Sequence, residues 1–332
     1  MELRPGRVPR ERALRGPEGH LARQLVPDPG TGRPPDGTSE GGVADVIAEI
    51  LPRALNGLSF GALLFLIASG LTLTFGLMRT LNLAHGAFYL LGGYIALDLL
   101  RRTDSYWVGL GGALLFVGLL GLIFERLLLH RFIGRELPQI ILTIGLAFII
   151  SDLVLGHYGG APATPPRPPG LQGSFTVGSF TFPWFRLGLI VIAVVVWAGL
   201  WLLVNRTRAG AVIRAAVDDQ EMARAIGIRV PVIFMVMFSF GAALAAFAGV
   251  WGGAFTGLAP GEEFQILILA LVVVVVGGLG SVNGALLAAA LVGLVDEFGR
   301  ALFPEFAFFT VFAPVALLLA LRPQGLFGKA AT

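Results

Sequence analysis

From Ala54 to Met78 the chain runs 25 residues without an Asp, Glu, Lys or Arg, and further apolar runs recur as far as Leu321. A helix needs about 20 apolar residues to cross the hydrocarbon of a bilayer. Several such runs in one chain describe a bundle, because only helices or closed barrels satisfy every backbone group in lipid. The runs are continuous rather than alternating, which excludes the period-two pattern of a barrel. Composition agrees: 14% of the residues are charged, against roughly a quarter in soluble domains. The expected fold class is an all-α polytopic membrane protein. Spans are predicted at about 54–78, 84–100, 107–124, 139–155, 187–204, 232–256, 264–278, 284–299 and 306–321. The seventh and eighth are short enough to be half-helices, so eight or nine transmembrane segments are expected.

Residues 1–45 differ from the rest. They hold seven Pro, eight Gly, seven Arg and seven acidic residues, a composition that cannot bury enough apolar surface to fold. No apolar stretch or small-residue cleavage site marks a signal peptide. The segment is expected to be disordered and dispensable. One reading starts translation near Val43 or Val46; its rival is a genuine extension that binds a partner. Residues 46–328 then form the transmembrane domain, and 329–332 a short tail.

Several chemistries are excluded by inventory. There are no cysteines, hence no disulfide, iron–sulfur cluster or thiol catalysis. His20, His85, His130 and His157 are scattered, with no pair at metal-ligand spacing. The single lysine, Lys329, precedes Ala330, whereas a phosphate-binding loop needs Lys before Ser or Thr. The chain is therefore not expected to be an enzyme, to hold a cofactor or metal, or to hydrolyse ATP itself. Net charge is +3, without a basic patch interleaved with aromatics, so no nucleic-acid partner is expected.

Charge sets an orientation. The loop 205–231 carries Arg206, Arg208, Arg214, Arg224 and Arg229 and belongs in the cytoplasm by the positive-inside rule. Alternation puts 125–138 and the tail from Arg322 inside as well, and the long Pro-rich loop 156–186 outside. Arg101 and Arg102 violate the rule mildly, and the N-terminus comes out external.

Two stretches interrupt the apolar pattern. Gly76 to Ala87 contains Asn82 and His85; Gly277 to Ala285 contains Ser281 and Asn283. Each reads apolar helix, Gly-containing break, Asn, Gly-Ala, apolar helix. Paired interrupted helices in two halves are a pointer to a transport pathway, although glycines alone more often serve close helix packing. Asn82, His85, Ser281 and Asn283 are the candidate pathway residues, because polar groups at membrane depth are costly and tend to be functional. No buried acidic residue is expected mid-span apart from the peripheral Asp152, and the near absence of fixed charge from the pathway spans favours a neutral solute.

Within 205–231 a short helix is predicted. Asp218 or Asp219 would cap it, Glu221 would lie in its first turn, and Gly227 would end it. Met222, Ala225 and Ile226 fall at i, i+3, i+4 and make an apolar stripe in need of cover. The alternative, a helix lying on lipid headgroups, fits poorly with the acidic start.

This loop, with Arg214-Ala215-Ala216, Met222-Ala223 and Ile226-Gly227, resembles the cytoplasmic coupling loop of ATP-binding-cassette importer permeases. Gly70 to Leu73, Asn82 to Tyr89, Gly277 to Ser281 and the ending Leu321 to Gly328 are similar to the first permease of the branched-chain amino-acid importers. The likeness covers about Leu55 to Gly328 and departs at Ala87, where many members carry Glu or Gln. It implies the importer permease fold in a bacterial or archaeal inner membrane. It also implies partners: two ATPase subunits, a second permease and an external solute-binding protein, with lipid around the spans. Asp218, Asp219, Glu221, Met222, Ala223, Ala225, Ile226 and Gly227 would meet an ATPase. Urea and short-chain amide permeases look similar; an ATP-independent secondary transporter is the more distant alternative.

Overall fold

The computed structural model describes residues 43–78, 82–177, 180–322 and 324–327. Most of the expected N-terminal tail, all of the C-terminal one and residues 79–81 of the first break lie outside the described residues. Eleven α-helices run along the described chain: α1 Val43–Met78, α2 His85–Thr103, α3 Tyr106–Leu127, α4 Glu136–Tyr158, α5 Trp184–Arg206, α6 Arg208–Asp218, α7 Gln220–Ala225, α8 Val230–Thr256, α9 Glu263–Gly277, α10 Val282–Leu302 and α11 Ala307–Leu321. All nine expected segments are helical.

Their number as independent crossings is smaller than expected. Five helices, α1 (over Ile50–Gly76), α3, α4, α5 and α8, are long and apolar enough to cross a bilayer, and α9 with α10 forms a sixth unit bent by 119° at its break. The expected eight or nine spans are not reproduced. One reason is that α2 carries Asp98, Arg101 and Arg102 near its end, the first of them inside the expected span 84–100. Another is that α11, at 15 residues, is shorter than the ~20 residues a crossing needs.

Burial grades the helices. In the most apolar window of α1, 83% of the residues are buried, against 22% for α4 and 17% for α5; α1 is enclosed by its neighbours while α4 and α5 ring the outside. Outer faces are apolar, with Leu115 and Ile141 among the most exposed, an arrangement that suits lipid and not water.

Lipid gives apolar helices no reason to associate, so packing rests on close backbone approach. α2 lies across α8, where a Cβ at Gly249 would run into the Tyr89 carbonyl and one at Gly92 into Ala246. α1 crosses α10 the same way: a Cβ at Gly57 would sit 2.9 Å from the Gly293 carbonyl oxygen.

The loop between α4 and α5 is partly ordered by a hairpin that the sequence reading did not expect. β1 Ser174–Val177 pairs antiparallel with β2 Phe180–Pro183, in register Ser174 to Pro183, and Phe175 packs against Trp184 at 4.7 Å between centroids. Ala163 and Leu258 exchange backbone hydrogen bonds of 2.9 and 2.8 Å, fastening this loop to the one between α8 and α9.

Candidate functional site

The helix ends at the two breaks meet. Gly76, near the end of α1, lies against Gly280 in the α9–α10 break, where an added Cβ would be 3.1 Å from the Gly280 Cα. Gly278 and Gly280 have φ of 96° and 82°, a region that L side chains rarely adopt. They let α9 turn sharply into α10. Ser281 caps α10, its hydroxyl accepting from the Gly284 N–H at 3.0 Å. The far end of the chain closes α9: the Leu326 N–H donates to the Val276 carbonyl at 2.7 Å and the Phe327 N–H to Gly277 at 3.2 Å. A Gly-containing C-terminal motif thus serves the orphan carbonyls of another helix.

The four pathway candidates do not share one environment. Asn82 is buried and forms a local turn, its Oδ1 accepting from the Ala84 N–H at 3.1 Å. Its Nδ2 has no hydrogen-bond partner among the described residues. The adjacent Leu83 N–H donates to Thr143 of α4 at 3.3 Å, so α4 closes over this break. His85 is fully buried, its Nε2 2.8 Å from the Ile67 carbonyl. A carbonyl accepts only, so the proton sits on Nε2 and the ring ties α2 to α1. Asn283, by contrast, is exposed, and its Oδ1 accepts from the Trp197 indole N–H at 2.9 Å. Among the described residues, one cavity is lined by residues of α9, α10 and α11 around Pro314, and another by Leu97, Leu100, Tyr106, Pro165 and Pro166. None of the four candidates lines either.

The expectation that no acid but a peripheral Asp152 is buried mid-span is corrected at Asp296, within the expected span 284–299, while Glu125 and Glu263 flank the expected spans. Asp152 is exposed, whereas Glu125, Glu263 and Asp296 are buried. Asp296 pairs with Arg300 one turn on at 2.8 Å. Glu263 accepts from the Ser151 hydroxyl at 2.6 Å and from the Gly261 N–H at 2.7 Å. Neither carboxylate oxygen of Glu125 has a hydrogen-bond partner among the described residues. Glu125 and Glu263 sit in a last and a first turn, where hydropathy counts cannot separate a buried acid from a solvated one. A second group that the sequence did not signal joins three helices: Arg186 of α5 donates to Asn56 of α1, and Asn56 donates to Glu297 of α10 at 3.3 Å.

The loop between α5 and α8 folds as two helices rather than one. Thr207 caps α6 by accepting from the Gly210 N–H at 3.0 Å, and Arg214 reaches back to the Val204 carbonyl at the end of α5. Asp219, not Asp218, caps α7, accepting from the N–H groups of Glu221 at 3.0 Å and Met222 at 2.9 Å. At the other end Gly227 stands at φ 89°. Ile228 donates to the Ala223 carbonyl at 2.9 Å and Gly227 to Arg224 at 3.0 Å, the paired bonds of a Schellman close. Ala216 and Ala223 point inward and share an apolar cluster with Leu200 of α5, Phe234 and Met237 of α8 and Leu73 of α1. Met222 and Ile226 are 60% and 68% exposed; Ala225, Asp218, Asp219, Glu221 and Gly227 are exposed with them. The elbow therefore rests one face on the bundle and offers the other, apolar at its centre, outward.

A family model described as branched-chain amino acid transport system, permease component, matches residues 53–321. The high-affinity branched-chain amino acid transport system permease protein BraD of Pseudomonas aeruginosa is 30% identical over 298 residues, covering 85% of this chain and 97% of that one. LivH of Escherichia coli, described in the same words, is 28% identical over 299 residues, 84% and 96% of the two chains. LivM of Escherichia coli, also a permease protein of the high-affinity system, is 29% identical over 289 residues, 79% of this chain and 67% of that one.

Proposed function

Since the chain belongs to the family of permease components of branched-chain amino acid transport systems, we propose that it is the membrane-spanning subunit of an ATP-binding-cassette importer. It carries branched-chain amino acids inward across the cell membrane by alternating access. ATP is hydrolysed by two partner subunits docked on α6–α7, a second permease completes the translocation unit, and an external binding protein delivers the solute. The coupling loop 205–231 and the C-terminus face the cytoplasm, where the positive-inside rule puts them.

The observation that carries this reading is the elbow itself. A six-residue helix, α7, is far too short to persist by propensity. It is nevertheless capped at both ends and leaves Met222, Ala225 and Ile226 uncovered. A helix capped at both ends beside an exposed apolar stripe suits a docking knob. Asp218, Asp219 and Glu221 beside the stripe oppose an anionic lipid surface as its cover. That LivH and LivM of one organism both align with this chain supports a pair of related permeases.

Uptake by the complete importer in proteoliposomes tests the reading. Leucine is expected to be carried, with urea and arginine poor competitors. Arginine as the best substrate would overturn the assignment.

A further inference from the structure

Opposite charges meet directly within α2 and within α10, and at one further place they are held apart. Asp98 pairs with Arg102 at 3.0 Å and Asp296 with Arg300 at 2.8 Å. Arg186 at the head of α5 and Glu297 near the end of α10 do not pair. Asn56 of α1 stands between them, its Oδ1 accepting from the Arg186 guanidinium and its Nδ2 donating to Glu297 at 3.3 Å. α1 and α10 approach closely here, an added Cβ at Gly57 lying 3.2 Å from the Glu297 Cβ. Among the described residues no carboxylate pairs with Arg186 and no cation with Glu297. A guanidinium fork and a carboxylate each make several hydrogen bonds, so both keep capacity after serving one amide.

Beside this polar group lies an aromatic one. Phe60 stands one turn from Asn56 on α1 and stacks on Phe255 of α8, at 6.5 Å between centroids. The Arg186 guanidinium is 5.5 Å from the Phe255 centroid. Phe185, the residue before it, is 6.5 Å from Phe255 and stacks at 5.7 Å on Trp251, one turn back along α8. Arg167, from the loop between α4 and α5, stands over Phe185 at 5.6 Å. Phe60 and Phe255 are half-buried, whereas Trp251 is 5% exposed. Its indole N–H has no acceptor among the described residues. For packing alone an apolar ring would serve at this position, since a buried donor without an acceptor is costly.

We propose that these groups receive the transported solute, a zwitterionic amino acid with an apolar side chain. The carboxylate goes to Arg186, the ammonium to Glu297, and the side chain lies against Phe185, Phe255 and Trp251. The assignment rests on the importer reading above and adds where the solute is held. A cation and an anion kept apart by one amide match a ligand whose own opposite charges are borne by one carbon. A direct Arg–Glu pair would leave nothing for it. Arginine and carboxylate suit a two-pronged contact, and a charged side chain would find only aromatic surface, where it is costly to bury. This end of α5 adjoins the loop that charge places outside, the side from which a binding protein delivers. The rings touch one another, so the solute enters as α5 moves away from α1 and α8. At 17%, α5 is the least buried of the five crossing helices and loses least packing on moving.

Photo-leucine, whose diazirine yields a carbene that inserts into neighbouring bonds, tests the site in the unaltered chain. The complete importer in proteoliposomes is irradiated during uptake, with loaded binding protein and ATP, and adducts on this chain are mapped by mass spectrometry. Adducts are expected within 184–186 and 247–255, and excess leucine should remove them. Adducts confined to other segments, adducts that leucine does not displace, or none on this chain despite uptake of photo-leucine would overturn the site; a lipid headgroup lodged there gives the last of these. Glu297→Gln keeps an acceptor for Asn56 and removes the charge. It should lower the adduct yield about tenfold or more, because a hydrogen bond to a charged group is lost, with the thermal midpoint unchanged. A parental yield, or a fall matched by a lowered midpoint, would overturn the part given to Glu297. Uptake with adducts elsewhere removes the site alone, whereas uptake of neither leucine nor photo-leucine removes the function beneath it.

Discussion

Removing the carboxylate of Asp219 should weaken coupling without disturbing the bundle. α7 is closed at its start by two hydrogen bonds to this one side chain, from Glu221 at 3.0 Å and Met222 at 2.9 Å. Replacing such a cap by Ala costs about 1 kcal/mol, within a range of 0.5–2. A cost of about 1 kcal/mol lowers the ratio of formed to unformed helix roughly fivefold. A partner that binds only the formed helix loses affinity in proportion to the formed fraction. The loss therefore approaches fivefold if α7 is marginal and vanishes if it is very stable. A six-residue helix belongs near the marginal limit, because propagation never repays nucleation over so few residues. The Asp219→Ala chain is expected to reach the membrane in normal amount. It should show faster amide exchange over 220–228, and slower leucine uptake at limiting ATPase subunit. Asp219→Asn keeps a capping acceptor and should behave as the parent does. Parental exchange and uptake in Asp219→Ala, or an Asp219→Asn chain as impaired as the Ala variant, would refute the capping argument; the latter would point to charge instead.

Two further outcomes follow from packing. Ala225→Arg adds a charged side chain to the centre of the exposed stripe, so the chain should insert normally while uptake is lost; undiminished uptake would remove the stripe from coupling. Gly249→Ala pushes a methyl into the Tyr89 carbonyl across the α2–α8 crossing and should cost about 1–3 kcal/mol by overpacking. Gly145→Ala on α4 meets nothing within 4 Å and should be neutral or slightly stabilising. Thermal unfolding in detergent compares the two, and equal midpoints would contradict the close-approach account.

How much the sequence revealed depended on the range of the forces involved. The nine helical segments follow from gaps in the charge pattern, and a gap is a local property. The cap and the stop of α7 were readable too, because Asp219 and Gly227 act on backbone within three or four residues of themselves. Even so, choosing Asp219 over Asp218 needed the geometry, since either could begin the turn. Asn82 and Asn283 mark the other limit. They occupy matching places in matching motifs, yet one is sealed by α4 through Thr143 and the other stands outside beside Trp197 of α5. A break is encoded by its own glycines; what lies beside it is decided by helices 60 and 86 residues away. The burial of Glu263 was missed for the same reason. Glu263 is accommodated by Ser151, 112 positions earlier, and no local window contains that pair.

The glycine-containing breaks have a packing explanation that also bears on transport. Gly277 and Gly284 bring the two arms of the bent pair together, with an added Cβ at Gly277 only 2.6 Å from the Ala285 nitrogen, and Gly76 meets Gly280 just below. No side chain lies between these backbones to take up a displacement. Val282, at the head of α10, packs against the cluster that holds Leu73 of α1 and the inward residues Ala216 and Ala223 of the elbow. Close-packed interiors transmit strain rather than absorb it. A partner that pushes on Met222 and Ile226 thus presses, through Ala223 and the shared cluster, on Leu73 and Val282. Those residues flank the contact between Gly76 and Gly280, so the two helix ends must move together or part. Packing and pathway are then not rival readings of the same glycines. The same close contact that packs the helices is where a push relayed from the elbow would arrive, and a larger residue at either position would fill the contact with an adjustable side chain.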